Sequence, residues 1–152
     1  MKNAAIYLRV STDEQARTGL GLDAQEERGR AYLVTKGWSL EGVYRDEGVS
    51  GATDLPKRPE ASRLLEGVRA GRVDAVVVAK LDRLGRRTSG VLETVEYLGA
   101  RGVDFVSVEE GFDTSTSAGR FVMRILASVA ELERDVTIDR TKAALHQKRT
   151  RG

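Results

Sequence analysis

Arg9, Ser11, Arg58, Asp82, Arg83 and Arg86 are the residues of this chain whose types and spacing suit phosphoryl chemistry. Ser11 follows Arg9 by two positions in Ile6-Tyr7-Leu8-Arg9-Val10-Ser11-Thr12, which opens as a buried strand and ends on a polar turn. At strand period Ile6, Leu8 and Val10 share one face, and Ala5, Tyr7, Arg9 and Ser11 share the other. An arginine on a covered face needs an anionic partner, and a hydroxyl beside it at a strand's carboxyl end makes a site for a phosphate. Asp82-Arg83-x-x-Arg86 ends another apolar run, and a third charged loop surrounds Arg58. The planar arginine fork matches phosphate oxygens, and several forks together stabilise a pentacoordinate phosphorus. Serine is a weak nucleophile until activated. The single histidine, His146, lies far from Ser11 in the sequence, which leaves an electropositive site and Asp82 as a proton shuttle. Each piece also has a plainer reading. Ser11 or Thr12 caps a turn while Arg9 pairs with a carboxylate, and Asp82-Arg83 is a strand-end ion pair.

The elements that must position these groups alternate. A strand ending at Val10 leads through a glycine-containing loop at 16–22 into a helix from Asp23 to about Lys36. Asp23 and Glu26 have capping-box spacing, and Gly37 is the stop. Trp38 to Tyr44 predicts a second strand, and 52–57 an exposed mobile loop. Pro59 suits the first turn of a helix ending at Gly71, with Leu64, Leu65 and Val68 as its buried stripe. Residues 74–79 form an unbroken apolar strand of the kind found at a sheet centre. A helix from Thr88 to Arg101, a strand from Val103 to Val108 and a returning loop to Thr116 follow. This order predicts an α/β fold, a mostly parallel sheet with helices on both faces. From Ser117 to Lys148 the pattern is helical throughout, and such a helix outgrows a domain of about 30 Å. Its first half is apolar almost all round, at Phe121, Val122, Ile125, Val129 and Leu132, so it calls for a partner surface, most simply a second copy.

Composition narrows the classes. A length of 152 residues with 40% hydrophobic content makes one domain with a proper core. No cysteine is present, which excludes disulfides and thiolate metal sites. No apolar run reaches the ~20 residues that span a bilayer, and no signal-peptide pattern opens the chain, so an intracellular location is expected. The net charge of +2 conceals a basic tail, with Arg140, Lys142, Lys148, Arg149 and Arg151 unopposed by any acid after residue 139. That tail fits a polyanion, although cations also suit a helix C-terminus.

Taken together, Tyr7-x-Arg9-Val10-Ser11-Thr12-x-x-Gln15, Gln25, Lys80-Leu81-Asp82-Arg83-Leu84-x-Arg86, Ala130-Glu131-x-Glu133-Arg134 and Asp139-Arg140-Thr141 resemble the serine site-specific recombinases, the resolvase/invertase family. The resemblance covers the whole chain in order. It implies a resolvase-type catalytic body over 1–116 and a long protruding helix over 117–152 for dimerisation and DNA contact. It also implies cleavage and rejoining of DNA through a 5′-phosphoserine and a free 3′-OH. Ser11 would be the nucleophile, Arg9, Arg83 and Arg86 the phosphate-binding arginines, and Asp82 the neighbouring acid. Arg58 would be a further phosphate contact on the mobile loop, with Gln15 and Gln25 in support and Arg134, Arg140 and Lys142 on the DNA. The implied partners are double-stranded DNA and further copies of the chain, a dimer and then a synaptic tetramer. No cofactor, metal, membrane or small-molecule substrate is implied, and the setting is the cytoplasm of a bacterium, with the gene bacterial or carried by a phage. The glycine-containing loop at 16–22 and Lys57-Arg58-Pro59 look more like the large serine integrases and transposases. Asp139 departs from the commoner Ile-x-Glu-Arg-Thr pattern. Family members continue into a DNA-reading module, which is expected to lie outside this chain. Two other readings compete: a metal-dependent nuclease using Asp46, Asp82 and Glu109 or Glu110, distinguished by divalent-ion dependence, and a non-catalytic module assembling through the long helix.

Overall fold

The structure is a computed structural model that describes residues 1–12 and 21–151. Gln15 and most of the 16–22 loop lie outside the described residues.

Five strands form one sheet in the order β2-β1-β3-β4-β5. They are β1 (Asn3–Val10), β2 (Ser39–Glu47), β3 (Ala75–Val78), β4 (Asp104–Ser107) and β5 (Phe112–Asp113). The first four are parallel and β5 returns antiparallel to β4, within the stretch expected to be only a loop. The apolar run of β3 is buried at every position and occupies the middle of the sheet, because helices cover it on both sides.

Among the described residues four helices accompany the sheet: α1 (Leu22–Lys36), α2 (Pro59–Arg69), α3 (Thr88–Ala100) and α4 (Ser117–Arg151). Strand alternation divides the core. Ile6, Leu8 and Val10 pack with Leu22 and Leu33 of α1 on one face. Ala5 and Tyr7 pack on the other, with Leu64 and Val68 of α2 and Val91, Val95 and Leu98 of α3. Each such side chain contributes about 1.5–3 kcal/mol when fully buried, so a one-residue slip of β1 would exchange both cores and is strongly disfavoured.

The capping box expected at Asp23 does not form. α1 starts after Gly21 without a side-chain cap, and Asp23 and Glu26 instead bind Arg45 of β2 at 3.0 and 2.9 Å. β2 also runs three residues beyond Tyr44, through Asp46 and Glu47, because it stays in register with β1 as far as Val10.

α4 is held at its root. The Thr116 hydroxyl accepts from Gly119 N–H at 3.0 Å, an N-cap contact. Gly119 lies so close to β5 that an added Cβ would sit 1.6 Å from the Asp113 carbonyl oxygen. Val122, Met123 and Leu126 pack on the core, and Ala130 is the last buried residue. Every residue from 131 to 150 is exposed, a projecting stretch of about 30 Å. Phe121, Ile125, Val129 and Leu132 face outward.

Candidate active site

The strand order reverses beside β1. The chain leaves β1 toward α1 on one face, whereas β3 leads to α3 on the other. Such a switch point leaves a crevice at the carboxyl ends of the strands. Ser11 follows β1 there, and a 3-10 turn, Leu81–Arg83, follows β3.

β3 pairs with β1 only at residues 4–6, so the backbone of Arg9 needs other partners. Gln25 supplies them from α1. Its carbonyl oxygen accepts from Arg9 N–H at 3.3 Å and its amide donates to the Arg9 carbonyl at 3.1 Å. Arg83 donates to the same Arg9 carbonyl at 2.6 Å. The Arg9 guanidinium in turn donates to the carbonyls of Arg83, Val49 and Asp82 at 3.2, 2.9 and 2.9 Å. The two arginines therefore fix each other across the switch point. Carbonyl oxygens hold both guanidinium groups in fixed orientation at the crevice beside Ser11.

Arg58 is placed differently from expectation. It does not extend from the loop but is buried, 1% exposed, at the N-cap of α2. All five of its N–H donors are used. They go to the carbonyls of Thr53, Gly51, Arg83 and Leu84 and to the Tyr7 hydroxyl, at 2.7–3.3 Å. The Tyr7 hydroxyl donates to Asp46 at 2.9 Å. Burial, foremost, and the Asp46 carboxylate push Tyr7 far above the ordinary phenol range, outweighing the Arg58 guanidinium, so Tyr7 keeps its proton. Asp46 also accepts from the N–H groups of Glu60 and Ala61 at 2.9 and 3.1 Å, across the N-terminus of α2.

Asp82 stands beside this frame, with a carboxylate oxygen 2.8 Å from Arg83 Nε. Burial pushes its carboxyl up, but the Arg83 hydrogen bond and the charges of Arg83, Lys80 and Arg9 outweigh it and hold it below the usual carboxylate range. Asp82 is thus ionised at neutral pH, able to take a proton but holding none to give. Arg86 is exposed beside the crevice. A Cβ on Gly51 would meet Arg9 Nη2 at 3.0 Å and Arg86 Cγ at 3.3 Å, so Gly51 is the spacer between these two arginines.

The structure brings Arg9, Ser11, Gln25, Asp82, Arg83 and Arg86 to one edge, with Arg58 beneath them. Arg134, Arg140 and Lys142 lie apart, exposed on the projecting half of α4. The nuclease reading finds no metal cluster: among the described residues no three His, Cys, Asp or Glu side chains converge. Asp46 is taken up by Tyr7 and α2, and Glu109 lies in ion-pair range of Arg28 and Lys80. Gly51 and the Tyr7–Asp46 pair were not singled out by sequence. A tyrosine sharing the Arg9 face was the available signal, since a buried phenol needs a partner.

An α/β domain with a serine and interlocked arginines at its switch point suits phosphoryl transfer. The Resolvase, N terminal domain family model matches residues 4–152, and the chain belongs to that family, the serine recombinases, enzymes that cleave and rejoin DNA. It is 38% identical over 146 residues to the transposon Tn917 resolvase of Enterococcus faecalis, covering 96% of this chain and 71% of that protein. It is 37% identical to the serine recombinase gin of Escherichia phage Mu, covering 96% of this chain and 67% of that one. Among solved structures, the N-terminal catalytic domain of TP901-1 integrase superposes with a TM-score of 0.79 at 36% identity, over 89% of this chain and 98% of that domain. A resolvase family site-specific recombinase from Streptococcus pneumoniae gives a TM-score of 0.80 at 31% identity, over 97% and 98%.

Proposed function

We propose that Ser11 is the nucleophile by which this recombinase catalytic domain cuts DNA. The Ser11 Oγ–phosphorus bond forms as the P–O3′ bond breaks, leaving a 5′-phosphoserine and a free 3′-OH. The Oγ proton passes to a neighbouring base, with Asp82 as the ionised candidate, and the 3′ oxygen is protonated as it leaves. Rejoining is the reverse attack, and the energy of the broken phosphodiester is kept in the phosphoserine ester. Arg9 and Arg83, with Arg86 at the rim, supply the positive charge that a metal supplies elsewhere. Arg58 holds the carbonyl frame on which Arg9 and Arg83 rest, instead of touching the phosphate. The observation that carries this reading is the reciprocal bonding of Arg9 and Arg83 across the switch point where Ser11 follows β1.

The outward apolar face of α4, Phe121, Ile125, Val129 and Leu132, supports a dimer seam, and pairs of dimers would make the synaptic tetramer. Arg134, Arg140 and Lys142 on the projecting helix would lie along DNA. No helix among the described residues is long and apolar enough to cross a membrane, and we place the protein in the cytoplasm. The test is a nicked oligonucleotide bearing the protein's own crossover site. Wild type should leave a covalent protein–DNA adduct on a denaturing gel, in chelator as well as in Mg²⁺, and Ser11→Ala should leave none while binding DNA as before. An adduct that persists in Ser11→Ala, or that requires Mg²⁺, overturns the assignment.

A further inference from the structure

We infer that Glu110 is a positioning residue for strand cleavage, acting on the turn that carries Asp82 and Arg83; this rests on the assignment of Arg9 and Arg83 to the reacting phosphate.

The turn Leu81–Arg83 is the common support of the arginine frame. The carbonyls of Asp82, Arg83 and Leu84 together accept four hydrogen bonds from Arg9 and Arg58, at 2.7–3.2 Å. Tilting this turn therefore re-aims both guanidinium groups. Yet the turn has no cap of its own. Lys80 occupies the N-cap without a side-chain cap bond, since an ammonium has no acceptor to offer, and the Leu81 N–H takes its acceptor from outside the turn.

Glu110 supplies the missing acceptor from the segment that follows β4, the strand next to β3. Its two carboxylate oxygens lie 3.3 and 3.2 Å from Leu81 N. The same carboxylate accepts from the hydroxyl of Ser107, which is wholly buried on β4. Glu110 is thus tied at one end to a strand fixed in the core and at the other to the first N–H of the turn. Glu109 adds a looser tie, its carboxylate 3.4 Å from Lys80 Nζ. The chain after β4 continues alongside the end of β3, with Val108 and Glu109 N–H bonded to the Val78 and Ala79 carbonyls at 3.0 and 2.9 Å. Glu110 bonds the first N–H of the turn, and its influence on Arg9 and Arg83 runs through that turn.

A misplacement of about 1 Å at a reacting centre costs on the order of a hundredfold in rate. Glu110→Ala should therefore lower single-turnover cleavage about ten- to a hundredfold, with DNA affinity unchanged. Glu110→Gln retains a carbonyl oxygen that can accept from Leu81 N–H and should recover the rate to within about threefold. Ser107→Ala, which loosens the anchor and leaves the acceptor in place, should fall between them. All are assayed in the full protein on its nicked crossover site, beside Ser11→Ala, with thermal melting recorded for each. If Ser11→Ala still forms adduct, the assignment underneath has failed. If Ser11→Ala is dead and folded Glu110→Ala cleaves at the wild-type rate, this inference alone has failed. If Glu110→Ala does not fold, Glu110→Gln and Ser107→Ala decide. Two outcomes then overturn the positioning role: Glu110→Gln as impaired as Ser11→Ala, or both variants cleaving alike with equal losses of melting temperature.

Discussion

Replacing Arg58 by methionine should destabilise the fold by about 3–5 kcal/mol, the scale expected when several buried acceptors lose one charged donor. Methionine fills much of the volume but donates nothing. Thr53, Gly51 and Leu84 lose the guanidinium at their carbonyls, the Arg83 carbonyl loses one of its two described donors, and Tyr7 loses its donor. Bonds from a charged donor contribute roughly 1.5–3 kcal/mol each, so five of them added naively would equal the whole stability of a typical domain, about 5–15 kcal/mol. They do not add, because one side chain makes them all and its removal also relieves the desolvation of a buried charge. At about 2–4 °C per kcal/mol for a chain of this size, the melting temperature should fall by roughly 10 °C. Arg58→Lys keeps the charge but reaches fewer acceptors from one nitrogen, and should lose about half as much. Urea unfolding followed by circular dichroism, with the slope unchanged between variants, measures both. A loss below about 1 kcal/mol in Arg58→Met, together with abolished cleavage, would refute the reasoning. It would mean that Arg58 swings out to hold phosphate, as the sequence first indicated.

Gly51→Ala should slow cleavage more than it weakens DNA binding, because its Cβ would press on Arg9 at 3.0 Å and Arg86 at 3.3 Å; equal losses in rate and affinity argue against the spacer role. Asp82 is held below its ordinary value of 3.8, so its contacts persist above that pH and are lost only as pH falls through the lower folded value. The cleavage pH–rate profile should accordingly show no Asp82 step at neutral pH, and a step between about pH 5 and 7 that vanishes in Asp82→Asn contradicts the depressed carboxyl. Ile125→Glu and Val129→Glu should abolish self-association without lowering the melting temperature, since both side chains already face outward; sedimentation of wild type as a monomer at high concentration counts against the seam. Non-specific duplex binding through the five basic residues after 139 should show a log–log salt slope no steeper than about −4.5. A steeper slope places further phosphate contacts on the body.

Residue pattern alone determined the strand-helix alternation, because burial selects period two in β1 and the 3.6 period in α2 and α3. It also determined the two faces of β1, with Ala5 and Tyr7 on one and Ile6, Leu8 and Val10 on the other, and the outgrowth of α4, since a helix has one length per residue in any context. Boundaries governed by long-range partners were decided elsewhere. The end of β2 depends on its register with β1, β5 on the strand it can pair with, and the start of α1 on Arg45 drawing away both capping-box carboxylates. The same distinction runs through the site. Serine and arginine types announce phosphate chemistry, but only the folded chain determines what each arginine bonds. Arg58 shows the difference most clearly: a cation in a polar loop is ordinarily solvated, and nothing local predicts that four carbonyls and a tyrosine hydroxyl will converge to bury it. Those acceptors come from strand, loop and turn segments spanning residues 7–84, and their meeting point exists only when β1 and β3 lie side by side.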